Sequence, residues 1–223
     1  AQVHFAVTYD GHEVAVKVLR PGIEEAFKRD IDLFFWLAEL IEATRPELRR
    51  LRPVQSIRTL AASVEMEMDL RFEAAAASEL AENFDDDDTF VVPAVNWALT
   101  SRRVLSTERV TGIPIDDIDA LNAAGHDTHA ILEKSSSTFF TQVFRDGFFH
   151  ADMHPGNMFV RADGALVAVD FGIMGRIDAK TRRHLGELLM AFLTRDYRRA
   201  AEVHFEAGWI PADQSVDTFT QAC

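Results

Sequence analysis

Residues 150–172 read HADMHPGNMFVRADGALVAVDFG, and this stretch decides the fold. It carries Asp152, then Asn157 five positions on, then Asp170 at the head of Asp170-Phe171-Gly172. Between Asn157 and Asp170 the pattern is a short apolar strand, a turn at Ala162-Asp163-Gly164 and a second apolar strand. A hairpin of that length can return Asp170 to Asn157, giving two oxygen donors suited to magnesium. Asp152 is then left to face a nucleophile. Singly, each part is ordinary: an Asp before Gly is usually a turn residue, and either His150 or His154 alone reads as a core or loop histidine. The ordered set of all of them is far harder to meet by chance.

That order is the one found where the terminal phosphate of ATP is transferred. Asp152 and Asn157 match the Asp and Asn of the protein-kinase catalytic loop, with Asp170 as the further magnesium ligand. Such a site needs a lysine for the phosphates. Upstream, Val14-Ala15-Val16-Lys17 follows Gly11-His12, and residues 3–9 and 14–19 alternate as paired strands around an Asp-Gly turn. A lysine on the inner face of a strand is costly to bury alone and requires a carboxylate partner. On an edge strand the same lysine would simply reach solvent.

Four strings carry a resemblance: AQVH at 1–4, VAVKVLRPG at 14–22, EMDLRFEAAAA at 67–77 and FFHADMHPGN at 148–157. Together they resemble the UbiB, or aarF-domain, family of atypical kinase-like proteins linked to ubiquinone and isoprenoid-lipid metabolism. The likeness runs from Ala1 to about Ile210. It implies an α+β, bilobal protein-kinase-like fold: residues 1–110 as a small lobe with an antiparallel sheet and inserted helices, residues 111–223 as a mostly helical large lobe. It implies that Lys17 meets nucleotide phosphates, that Glu73 pairs with Lys17, and that Glu67 and Asp69 form the family's Glu-x-Asp signature directed into the site. Asp152 is the implied catalytic residue, with Asn157 and Asp170 holding magnesium. Val104 to Val110 is similar to the hinge, with Thr107 as gatekeeper and the backbone of Glu108 and Val110 at the adenine edge. The implied cofactors are ATP or ADP with Mg2+. The implied partners are isoprenoid-lipid intermediates or lipid-biosynthesis proteins.

Two family features are expected upstream of Ala1: an alanine-rich loop over the phosphates and a Lys-x-Gly-Gln helix that covers the site. Ala74 to Ala77 is not that loop, because it follows Glu73 among strong helix formers and reads as a close-packing helix face. Met153 stands where the family form HADPHPGN has proline, which alters loop stiffness rather than chemistry. The chain is therefore expected to be an excised core, ending inside the natural protein.

Composition agrees with a globular enzyme core. The 223 residues are 48% hydrophobic with 17 Phe, enough for two lobes of about 100 residues. A formal charge of −13 argues against nucleic acid and against purely electrostatic docking on anionic lipid. Part of it is the run Asp85 to Asp88, read as a solvated loop. Cys223 is the only cysteine, which points to a reducing compartment. Neither a signal peptide nor a membrane span is legible, since Ile31 to Ile41 is broken by Asp32 and Glu39. The expected location is cytoplasmic, with peripheral membrane contact left open.

Ile23, Phe27, Ile31, Phe34, Ala38 and Ile41 recur at helical spacing, and this stripe with Phe35 and Trp36 reads as core. A second helical stretch spans about 54–83. Residues six apart lie about 120° off one helix face, so Glu67 and Glu73 reach one site only if the helix bends or restarts between them. Strands near 90–97 and 102–110 are expected to complete the first sheet, with Pro93 at an edge. Helices are expected at about 115–123, 127–146, 178–194 (capped by Asp178) and 196–207. Three other classes share parts of the pattern: an aminoglycoside- or choline-type phosphotransferase, a nucleotide-binding pseudokinase scaffold, and a zinc hydrolase built on His150, Asp152 and His154.

Overall fold

The computed structural model describes residues 1–223. In chain order, strands β1 (Gln2–Val7) and β2 (Glu13–Val18) precede helices α1 (Ile23–Thr44), α2 (Pro53–Glu67) and α3 (Leu70–Asn83). Strands β3 (Phe90–Val91), β4 (Val104–Glu108) and β5 (Ile113–Pro114) lead to helices α4 (Ile118–Ala123) and α5 (Thr128–Phe140). Then come β6 (Phe148–His150), β7 (Met158–Val160), β8 (Leu166–Ala168) and β9 (Met174–Arg176), followed by α6 (Ala179–Leu193), α7 (Tyr197–Glu206) and α8 (Val216–Thr220). The chain forms two compact units, one of residues 1–128 with 154–172, the other of residues 129–153 with 173–223. Residues 154–172 thus group with the first unit, across the boundary expected after Val110.

In the first unit, β1 and β2 are a hairpin closed at Thr8, whose N–H donates to the His12 carbonyl and whose hydroxyl oxygen accepts from the His12 N–H, around Gly11 at φ 90°. β4 adds antiparallel to β2, giving the order β1-β2-β4. Beneath it, Leu19, Met68, Leu70, Ala74 and Leu105 are buried together, with Ile23, Phe27, Val64 and Val95 packed against them. Small residues let α3 approach closely: Ala74 and Ala77 are fully buried, as expected of the alanine run. Asp87 accepts from the backbone and the hydroxyl of Thr89, so the acidic run folds as a turn that starts β3.

Two expectations need correction, and one point left open by the sequence is decided. Of the bend and the restart left open for 54–83, the structure has the restart: Asp69 leaves the helical path and its carboxylate accepts from the Arg71 N–H as the cap of α3. Of the two strands expected to complete the first sheet, only β4 joins it as a strand. β3 pairs parallel with β8 in a second sheet, β3-β8-β7-β5, while residues 94–96 reach β4 through a single bridge, Val95 to Thr107. The proline at 93 cannot extend a ladder through its missing N–H. The α1 stripe is not core throughout: Ala38 is buried, and Ile23, Phe27, Ile31, Phe35 and Ile41 are half-buried. Phe34 and Trp36 are exposed (42% and 58%), because α1 packs on α2 along one side only.

The second sheet holds the hairpin β7–β8, with Met158 opposite Ala168 and a turn at Gly164, φ 81°. Gly112 fits against its back. A Cβ at residue 112 would lie 2.9 Å from the Val160 carbonyl oxygen and 3.0 Å from the Phe159 Cβ. In the second unit, α5 ends at Phe140 and continues as a π-helical turn, Thr141–Asp146, rather than as the α-helix to 146 expected. β6 pairs antiparallel with β9, and α6, α7 and α8 pack in sequence. Asp178 caps α6 through the Thr181 N–H, as expected.

Gly112→Ala should cost about 1–3 kcal/mol of stability, because the new methyl meets main chain that cannot step aside. Urea unfolding of the variant against the wild type reads this directly.

Candidate functional site

Strand alternation turns Lys17 inward from β2, opposite Leu105 of β4. Its side chain is only 18% exposed. The Nζ donates to both carboxylate oxygens of Glu73, at 2.8 and 2.9 Å, and to Asp170 Oδ1 at 2.7 Å. One ammonium thus meets two carboxylates from elements 56 and 153 positions away. The sequence implies Lys17 with Glu73; the direct bond to Asp170 in addition is a finding of the structure.

The cap at Asp69 sets the position of Glu73. It starts α3 at Leu70, so Glu73 falls in the first turn, where the helix dipole favours a carboxylate. Asp170 reaches Lys17 from the end of the β7–β8 hairpin by a left-handed backbone, φ 62°, which non-glycine residues adopt seldom and Asp more readily than most. The Gly172 N–H bonds back to its carboxylate.

Electrostatics separate the two acids. Burial pushes the Glu73 carboxyl up, against the pull of Lys17, so it lies above the usual range; its side chain is 7% exposed. Asp170 is half exposed, and the Lys17 contact overcomes its partial burial, holding it below the usual range. Burial alone would lower Lys17, but the two carboxylates outweigh it and raise its pKa.

Asn157 stands at the open end of the same hairpin. Its carbonyl accepts from the Val169 N–H at 2.9 Å, so it lies across from the residue preceding Asp170. Amide and carboxylate oxygens are hard donors of the kind magnesium takes. Thr107 pairs with Ala15, and the Glu108 N–H is donated to Ala94 O, so that amide of the expected hinge is already used. Val110 comes next after Arg109, half buried, and the Arg109 N–H bonds Glu13 O.

The cluster does not include Glu67 or Asp69. Glu67 ends α2 with its side chain exposed. Asp69 is held by Arg71, through backbone and guanidinium bonds of 3.1, 2.9 and 2.6 Å, and these depress its carboxyl to about 2. Arg71 was the partner missed in sequence, though an Asp two residues before an Arg at a helix start is a readable signal. Asp152 belongs to the second unit, where its backbone N–H donates to His150 Nδ1 at 3.2 Å. His154 Nδ1 likewise accepts from the Gly156 N–H. Both imidazoles thus use Nδ1 within their own loop.

A strand lysine bound to a helix carboxylate and to the aspartate of Asp-Phe-Gly, beside a three-stranded antiparallel sheet, defines a protein of the kinase-like class. Residues 1–204 match the ABC1 atypical kinase-like domain, and the chain belongs to that family. It is 44% identical over its full length to "Probable protein kinase UbiB" of Marinobacter nauticus and of Xylella fastidiosa. The Vibrio campbellii protein of the same name is 42% identical over 98% of the chain. The chain spans about two fifths of the length of these relatives, 41% in each case. Among solved structures, Rv3197 of Mycobacterium tuberculosis, determined with erythromycin, superposes with a TM-score of 0.76 at 26% identity, over 96% of this chain and 53% of that one. No helix is long and apolar enough to cross a membrane.

The Asp69 cap should titrate. Its depressed carboxyl contributes stability that is complete above the ordinary value near 3.8 and is lost as pH falls through about 2. Asp69→Asn, which keeps a cap that cannot titrate, should therefore close on the wild type as pH falls from 6 to 3. Asp69→Ala should cost about 1 kcal/mol at neutral pH. Urea midpoints at the two pH values check both.

Proposed function

We propose that this chain is the nucleotide-binding core of a UbiB-type atypical kinase, acting as a magnesium-dependent phosphotransferase or ATPase linked to ubiquinone and isoprenoid-lipid metabolism. The observation that carries the reading is the bonding of Lys17 to both Glu73 and Asp170. It leaves a fixed ammonium for phosphate oxygens, with an acid beside it that reaches solvent.

In this reading Glu73 orients Lys17, and Lys17 neutralises phosphate oxygens. Asn157 and Asp170 would hold magnesium, which supplies further neutralisation of charge on the phosphates. The adenine edge meets the Glu108 carbonyl and the Val110 main chain, with Thr107 behind. Asp152 accepts the proton of an acceptor hydroxyl or orients a water. Glu67 and Asp69, the Glu-x-Asp pair, act at the rim of the nucleotide site in the same scheme. Residues 1–110 and 111–223 are the two lobes it assigns, and the protein works in the cytoplasm with peripheral access to membrane lipid. Phosphoryl transfer asks little covalent chemistry of a protein; positioning and charge neutralisation lower the barrier.

Titrating ATP or ADP should raise the thermal midpoint, and magnesium should enlarge the rise, since a ligand selective for the native state stabilises it by mass action. Asp170→Asn should remove the magnesium-dependent part of that rise; an undiminished magnesium effect would contradict the ligand assignment.

Asp152→Asn should abolish phosphate release while nucleotide binding persists. Unchanged turnover would remove Asp152 from the chemistry. A wild type that binds nucleotide without releasing phosphate would instead favour the scaffold.

A further inference from the structure

Gln142 is fully buried in the second unit, on the π-helical turn that ends α5. A buried amide is costly unless its polar atoms are used. Its Oε1 accepts from the backbone N–H of His150 at 2.9 Å, while its Nε2 finds no partner. The bond has a geometric reason. In β6 successive N–H groups point to opposite edges, and Ala151 donates to Ile173 O on the β9 side. The His150 N–H therefore faces away from β9, where no strand exists, and Gln142 takes the place of one.

The chain of contacts continues. His150 is itself fully buried, and its Nδ1 accepts from the backbone N–H of Asp152 at 3.2 Å. Nδ1 can accept only while it carries no proton, so the imidazole is the tautomer protonated at Nε2. One amide thus fixes the backbone of His150, and the ring of His150 fixes the backbone of Asp152. We propose that Gln142 is a positioning residue for the Asp152 loop, acting through His150.

The turn that carries Gln142 is anchored at both ends of its reach. The Gly147 N–H returns to the Gln142 carbonyl, and the Ile177 N–H donates to the Gly147 carbonyl at 2.9 Å. Gly147 sits at φ 66°, and a Cβ there would come within 2.6 Å of Ile177 O. From α6, the Arg182 guanidinium donates to the carbonyls of Phe144 and Arg145. A π turn adds one residue to the helical path and rotates every residue beyond it. Here it carries a polar side chain to the bare edge of β6. The single acceptor bond, set against an unsatisfied Nε2, makes sense as a device that holds a loop rather than as packing.

The inference rests on the reading of Asp152 as the residue that handles the proton, and the test separates the two. In Gln142→Met, of similar length but without an acceptor, the amides of His150 and Asp152 should exchange with deuterium about tenfold faster or more, as expected when a buried N–H loses its partner. Amides of the first unit, such as those of Val160 and Leu166, should keep their protection. kcat for ATP hydrolysis should fall about tenfold with the affinity for Mg-ATP unchanged, a loss confined to the reacting complex. Gln142→Glu, which retains an acceptor oxygen, should restore most of both. Wild-type exchange and turnover in Gln142→Met would overturn the proposal, as would a uniform loss of protection that Gln142→Glu fails to repair. If the wild type releases no phosphate, the catalytic reading of Asp152 fails, and the exchange data alone still decide whether Gln142 holds the loop. Should Gln142→Met not fold, exchange in the wild type is the test: His150 and Asp152 amides exchanging at the rate of an unfolded chain would end the proposal.

Discussion

One ammonium group organises the first unit. A lysine drawn from water into a sheet is unstable unless charge meets it, and Lys17 meets two carboxylates at once. Those carboxylates come from α3 and from the end of the β7–β8 hairpin, so the bond ties the first sheet, the inserted helices and the second sheet to one point. The chain closes loops of 56 and 153 residues to make it. Each element arrives by its own local device. β2 brings alternation, α3 brings the Asp69 cap that fixes where its first turn begins, and the hairpin brings a left-handed aspartate that re-aims its end.

The legible part of the sequence reflects those local devices. Lys17, Glu73, Asn157 and Asp170 each sit on a short periodic or turn-bounded element, where neighbours alone decide the direction of a side chain. The hairpin, the two opening strands and the Asp178 cap were readable for the same reason. β3 was not. Two residues carry no period, and Phe90 and Val91 find their partners in Leu166 and Val167, some 76 positions away and in parallel. The helical stripe of α1 announced an apolar face but could not say what covers it, and Phe34 and Trp36 remain exposed. Asp69 shows a different limit. One residue type suits both a helix cap and an active-site acid, and only the Arg71 contacts reveal which bonds it makes in the structure.

Gln142 belongs to a third category. A glutamine in the phenylalanine-rich stretch from Phe139 to Phe149 is itself a signal, since a buried amide needs a partner. Its use depended on a π turn that no periodicity argument foresees, because a single added residue changes the face on which every later side chain falls. Local propensity sets where α5 starts. Where it ends, and what the end presents, is set by Gly147 and by Arg182 reaching over from α6.

The two acids on Lys17 are not equivalent, and their difference is what gives the cluster a use. Glu73 is buried, and its bidentate contact is the one that keeps Lys17 aimed; breaking it would strand a charge where water cannot reach. Asp170 makes a single bond to Lys17, and half of its side chain already faces solvent. Its release from Lys17 therefore costs far less, because water can take up the freed carboxylate. In the proposed role a phosphate approaching Lys17 competes with Asp170 and not with Glu73. The carboxylate it displaces is the one the reading assigns to magnesium. Loss of one partner by the lysine and gain of another by the aspartate are then the same event, driven by the asymmetry in burial between two side chains that share one ammonium.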